Sequence, residues 1–132
     1  MSFLQLRSSS SYDFILLSYA TVTTQAASSV TASTATGNGT VVTQGGSAVT
    51  VRGFVWSSSN SNPTLADSSV TSGSGTGVYT GSITGLAGTT LYYYRAYATN
   101  GIGTAYGDVM TFTTTETATA FFMGRMLMGM GI

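Results

Sequence analysis

Through the middle of this chain apolar and polar residues alternate with a period of two, and no stretch of useful length carries the 3.6-residue recurrence of a helix. Val49-Thr50-Val51-Arg52-Gly53-Phe54-Val55-Trp56 predicts a strand entered from a turn at Gly45-Gly46. Val78-Tyr79-Thr80-Gly81-Ser82-Ile83 predicts another, Leu91 to Thr99 gives the clearest alternation, and Asp108-Val109-Met110-Thr111-Phe112-Thr113 follows it. Weaker strands are expected near Ala20–Thr24 and Ser29–Thr34. Turn residues punctuate the pattern at Gly37-Asn38-Gly39, Asn62-Pro63, Gly73-Ser74-Gly75, Ala87-Gly88 and Asn100-Gly101. Short strands at this spacing predict an antiparallel sandwich.

The pattern changes at both ends, dividing the chain into an apolar arm (1–20), a Thr/Ser/Gly-rich body (21–115) and a Phe/Met/Gly-rich arm (116–132). Phe14, Leu16, Ser18 and Ala20 alternate with Ile15, Leu17 and Tyr19, so that arm is apolar on both faces. Met126, Met128, Met130 and Ile132 alternate with Arg125, Leu127, Gly129 and Gly131, a strand period with small residues on one side. A strand apolar on both faces must be covered on both. Left in water it is an aggregation-prone edge. Pairing with another copy by β-strand addition removes the liability, and a head-to-tail contact of that kind builds open filaments. The arms therefore predict an assembly interface at Phe14, Ile15, Leu16, Leu17, Phe121, Phe122, Met126, Met128, Met130 and Ile132. The plainer reading folds one arm back on its own domain. No segment reaches the roughly 18 apolar residues of a membrane span, and Phe14–Leu17 is too short for the apolar region of a signal peptide.

Gly85-Leu86-Ala87-Gly88-Thr89-Thr90-Leu91-Tyr92-Tyr93-Tyr94-Arg95-Ala96-Tyr97-Ala98-Thr99-Asn100 resembles the segment entering strand F of a fibronectin type III domain, in the variant common in secreted Bacteroidota proteins. Gly103, Tyr106-Gly107-Asp108 and Thr111-Phe112-Thr113-Thr114 match its continuation. Upstream, Gly45-Gly46, Val51-Arg52-Gly53-Phe54-Val55-Trp56 and Asn62-Pro63-Thr64 match strand C and the turn after it. Gly88 stands where the family has Pro. The resemblance covers about residues 21–115 and implies an all-β fold, a single seven-stranded antiparallel immunoglobulin-like sandwich from which the two arms extend. It also implies that Tyr92 is a corner tyrosine, its hydroxyl bonded to backbone near Leu86.

Alternation sends Tyr92, Tyr94, Ala96 and Ala98 inward and Tyr93, Arg95, Tyr97 and Thr99 outward. On the preceding strand Val49, Val51, Gly53 and Val55 alternate with Thr50, Arg52, Phe54 and Trp56, and both sets look apolar. One sheet is therefore expected to carry an aromatic patch of Arg52, Phe54, Trp56, Tyr93, Arg95 and Tyr97 on its outer side. Such a patch suits sugar stacking or a protein interface, or simply ordinary cross-strand pairing with Arg stems over rings.

Composition narrows the chemistry. Ser and Thr supply 19 and 24 of the 132 residues, with four Arg, no Lys, no His, no Cys and four acids. That removes Ser-His-Asp and cysteine nucleophiles, Schiff-base and P-loop lysines, disulfides and ordinary zinc sites. Four scattered Arg cannot track phosphates, which excludes nucleic acid as a partner. Gly73-Ser74-Gly75-Thr76-Gly77 precedes a strand, not the helix a phosphate loop needs. Asp67, Asp108 and Glu116 stand apart, too sparse for calcium or for a glycosidase carboxylate pair. No catalytic residue, metal or cofactor is predicted. Asn38-Gly39-Thr40 is a formal glycosylation sequon, and the Ser/Thr surface could carry O-linked sugar. The expected function is a structural subunit of an extracellular or cell-surface homopolymer, with itself as partner. The alternative is an adhesion module gripping polysaccharide through the aromatic face.

Overall fold

The computed structural model describes residues 18–117, which form an all-β sandwich. Its strands are β1 (Thr21–Ser28), β2 (Ala35–Thr43), β3 (Val51–Ser57), β4 (Ser68–Thr71), β5 (Gly77–Ile83), β6 (Leu91–Thr99), β7 (Thr104–Tyr106) and β8 (Met110–Thr113). One sheet has the order β1-β2-β5. The other runs β4-β3-β6-β7, with β8 also pairing β6, and every pairing is antiparallel. Between the sheets lies one apolar core that includes Val22, Val41, Phe54, Tyr79, Ile83, Tyr94 and Phe112.

The strand count is eight rather than the expected seven, because the last strand is broken. Both β7 and β8 lie along β6, with Tyr97 opposite Tyr106 and Tyr94 opposite Met110. Between them the Gly107 N–H still donates to the Ala96 carbonyl at 2.9 Å. The Ala96 N–H turns instead to Thr24 Oγ1 of the opposite sheet, at 3.0 Å. A Cβ on Gly107 would sit 2.6 Å from that hydroxyl. The break thus admits a buried Thr24 hydroxyl, which satisfies the donor the interrupted ladder leaves over.

Gly37-Asn38-Gly39 lies in mid-strand, not at a turn. The turn falls at 29–34, where a weak strand was expected, and Thr31 Oγ1 accepts the N–H groups of Ser33 and Thr34. The glycines serve packing. A Cβ on Gly37, Gly39 or Gly81 would come within about 2.9–3.2 Å of the Phe54 ring. Three missing side chains thus form the socket for one aromatic ring.

On β6, Tyr92, Tyr94, Ala96 and Ala98 point into the core and are all buried. The Tyr92 hydroxyl accepts the Ala87 N–H at 2.9 Å, beside buried Leu86. The Tyr94 hydroxyl accepts the Asn38 N–H at 3.3 Å and donates to the Gln25 carbonyl, tying β2 to the irregular end of β1. From the other sheet, the Tyr79 hydroxyl is aimed between the carbonyls of Gly53 and Tyr97, at 2.9 and 3.0 Å. Burial pushes the phenols of Tyr79 and Tyr94 above their usual range, for Tyr79 against the opposing pull of Arg52. Tyr92→Phe is expected to cost about 1–3 kcal/mol, since it strips the Ala87 N–H of its acceptor. An unchanged urea midpoint would remove Tyr92 from that role.

Candidate functional site

The expected aromatic patch does not exist as one surface. Antiparallel partners share a face. Arg52 lies opposite Ala98, Phe54 opposite Ala96 and Trp56 opposite Tyr94, so these three belong to the inward side of β3. Phe54 is fully buried and Trp56 nearly so. Arg52 reaches the core's rim, where its guanidinium lies 4.7 Å from the Tyr79 ring centre. There Nε donates to the Ser72 carbonyl at 2.8 Å and Nη1 to those of Gly75 and Thr76 at 3.2 Å. It is a clamp on the β4–β5 loop.

Tyr93, Arg95 and Tyr97 do point outward, opposite Ser57, Val55 and Gly53, but that face is largely covered by the chain itself. The loop after β3 returns across it. Arg95 Nε donates to the Pro63 carbonyl at 2.7 Å, and the Leu65 N–H donates to the Tyr106 hydroxyl at 3.1 Å. Val55, Pro63 and Tyr97 are fully buried in consequence, and Arg95 stacks 4.2 Å from the Tyr106 ring centre. Burial, reinforced by Tyr106, raises the Tyr97 phenol above its usual range. A flat sugar-stacking platform is therefore absent from these residues. Nor is the sequon amide idle, since Asn38 Nδ2 donates to the Ala26 carbonyl at 2.9 Å.

The arm residues Phe14, Ile15, Leu16, Leu17, Phe121, Phe122, Met126, Met128, Met130 and Ile132 lie outside the described residues, but the roots of both arms are defined. At one pole the Ser18 carbonyl accepts from Asn100 Nδ2 and from the Gly46 N–H, both at 3.0 Å. Gly45 and Gly103 pack so closely on Tyr19 that a Cβ would come to 2.3 and 2.8 Å of it. At the other pole the Thr114 N–H donates to the Thr90 carbonyl at 2.9 Å, and Thr114 Oγ1 donates to the Ala87 carbonyl at 2.6 Å. Asn100 follows the last residue of β6 and Thr90 precedes its first. The nine-residue strand therefore separates the two roots, by about 30 Å at ~3.3 Å per residue.

Near this second pole lies a hollow of about 550 Å³, lined by Trp56, Tyr92, Asp67, Ser57, Ser58 and Ser68 among others. Sequence reasoning missed it, having weighed Asp67 as a calcium ligand and as half of a glycosidase carboxylate pair. The available signal was local. Asp67 stands three residues after Thr64 and seven after Asn60, in reach of both across a turn. Its Oδ2 accepts the Thr64 N–H and Asn60 Nδ2, each at 2.9 Å. Among the described residues no three His, Cys, Asp or Glu gather as a metal site would require, and no helix is long and apolar enough to cross a membrane.

Neither a family profile nor a curated protein sequence matches the chain. Solved structures do. The short form of the sensor domain of the anti-sigma factor RsgI4 from Pseudobacteroides cellulosolvens is 20% identical over 76% of this chain and 98% of its own, with a TM-score of 0.55. The solution structure of that sensor domain is 20% identical over 73% of this chain and 75% of its own, at 0.51. A fibronectin type III domain from the human KIAA0970 protein is 12% identical over 83% and 82%, at 0.50. At such identities the likeness is one of fold, and the fold is fibronectin type III-like.

Proposed function

We propose that this chain is a non-enzymatic structural subunit of an extracellular or cell-surface homopolymer, a fibre or layer, in which arms of one copy add as strands to the next. The opposed roots carry this reading. Ser18, held by Asn100, and Thr114, held by Thr90, lie at opposite ends of β6, an arrangement that suits a head-to-tail repeat. Among the described residues both sheets are open, one ending in β1 and β5 and the other in β4 and the broken β7–β8 strand. Few charges oppose contact between copies, and both described arginines are spent on backbone carbonyls of their own chain. A secreted setting of the Bacteroidota kind, with glycan on the Ser/Thr surface, suits such a subunit.

Burying the side chains from Met126 to Ile132 contributes roughly 1.5–3 kcal/mol for each large one before ordering costs are subtracted. Deleting residues 120–132, or replacing Met128 and Met130 with Asp, is expected to convert filaments into a folded monomer. Deleting residues 1–17 leaves β1 to β8 complete and is expected to do the same. Negative stain and size-exclusion chromatography, with circular dichroism as the folding control, decide it. A parent chain that stays monomeric, or variants that all polymerise like the parent, would end this reading.

A further inference from the structure

The hollow near the second pole presents polar groups that the fold leaves unused. Asp67 turns Oδ2 to its own loop, while Oδ1 has no partner among the described residues. The indole N–H of Trp56 has no described acceptor either. Because no sealed side-chain nitrogen or oxygen lacks a partner, that N–H must reach solvent although Trp56 is only 8% exposed. The Tyr92 hydroxyl accepts from Ala87 and keeps its own proton to donate. Ser57, Ser58 and Ser68 complete the lining. The hollow is thus lined by two buried rings that each carry a donor, by one carboxylate and by flanking serines.

That set selects a ligand class. The Asp67 carboxylate repels anions, and among the described residues no three His, Cys, Asp or Glu gather to supply the several ligands a divalent cation takes. An apolar ligand would strand these polar groups without partners. A sugar has adjacent hydroxyls that donate and accept together, and an apolar ring face that suits the exposed margin of an aromatic. The volume, about 550 Å³, falls within the roughly 300–1,000 Å³ of small-ligand sites. We propose that this hollow binds a neutral sugar unit of a polysaccharide, with Asp67 Oδ1 accepting from a sugar hydroxyl and the Trp56 N–H donating to another. The groups named here all belong to the described sandwich, so the proposal does not rest on the filament reading.

Trp56 is the only tryptophan in the chain, so its emission reports on this hollow and the core beside it. The full-length protein would be titrated with three neutral probes, the tetramers of β-1,4-linked glucose, β-1,4-linked xylose and α-linked mannose. At least one is expected to give a saturable shift at millimolar concentration or below. Asp67→Asn retains an acceptor for Asn60 and Thr64 but loses the charge, and should weaken binding roughly tenfold. Ser58→Phe fills the hollow from an exposed position whose side chain makes no hydrogen bond in the fold, and should abolish the shift. No saturable change with any probe overturns the proposal. So does a change that either variant leaves at parental affinity while its circular dichroism is unaltered.

Discussion

Phe54→Ala is expected to cost about 3–5 kcal/mol, a large part of the roughly 5–15 kcal/mol that holds a domain of this size together. The ring is fully buried, its centre 5.0 Å from that of Tyr79 and 5.9 Å from that of Tyr94. What makes the site unforgiving is the opposite wall. Gly37 and Gly81 are cross-strand partners and both present bare backbone to the ring. When the ring is removed, no side chain on that wall can swing into the void, so the cavity stays open and the full penalty is felt. The same geometry supplies an internal control. On Gly81 the nearest neighbours of a new Cβ are Phe54 and, at 3.4 Å, Val70, whereas on Gly39 the nearest is the Ala96 methyl at 2.9 Å. Phe54→Ala combined with Gly81→Val should therefore recover part of the loss, while Gly81→Val alone destabilises, a non-additivity that urea denaturation reads directly. Equal losses with and without the second change would show that the socket is not formed by Gly81.

The clearest element in the sequence, β6, runs over the residues its alternation marks, Leu91 to Thr99, and the inward tyrosines are those expected. Alternation marked the strand, and the resemblance that makes Tyr92 a corner tyrosine chose its inward face. On β3 no such residue marks a face. Phe54 and Trp56 are covered by the facing sheet, Val55 by the chain's own return through Pro63, so both sets are apolar and no periodicity can say which is inside. The glycines of β2 misled for a related reason. A glycine signals a turn when it is read as conformational freedom, but Gly37 and Gly39 are there for the absence of a Cβ, which the positions of Phe54 and Ala96 across the core explain. Strands β4 and β7 are short, and the Ser-Ser-Val-Thr of β4 gives no alternation. They exist because neighbouring strands offer ladders to pair with. Likewise the hollow near the second pole joins residues 57, 67 and 92, which nothing in the sequence brings together.

Gly53→Ala separates these two uses of glycine most sharply. From the sequence alone a glycine inside a strand is a weakness, and Ala there should stabilise by roughly 0.5–1 kcal/mol. In the fold the sign reverses. A Cβ on Gly53 would stand 1.9 Å from the Val70 carbonyl oxygen and 2.9 Å from the Thr71 Cα, both backbone atoms of β4. Neither can rotate away, so β4 itself must move. That displacement pulls at the bonds beside it: Ser72 N–H to the Arg52 carbonyl at 2.7 Å, Arg52 N–H to the Gly73 carbonyl at 3.2 Å, and Arg52 Nε to the Ser72 carbonyl at 2.8 Å. Losing two of these, one of them to a charged group, adds to the overpacking strain for an expected cost of about 3 kcal/mol or more. Gly75→Ala is the comparison. At Gly75 the φ of +84° strains any L side chain, but a Cβ meets nothing within 4 Å, so the expected cost is only about 1–2 kcal/mol. Denaturation midpoints of the two variants should therefore fall in the order Gly53→Ala below Gly75→Ala, with β4 amides losing hydrogen-exchange protection only in the first. A stabilised Gly53→Ala would mean that β4 does not lie against this glycine, and the Arg52 clamp on residues 72–76 would go with it.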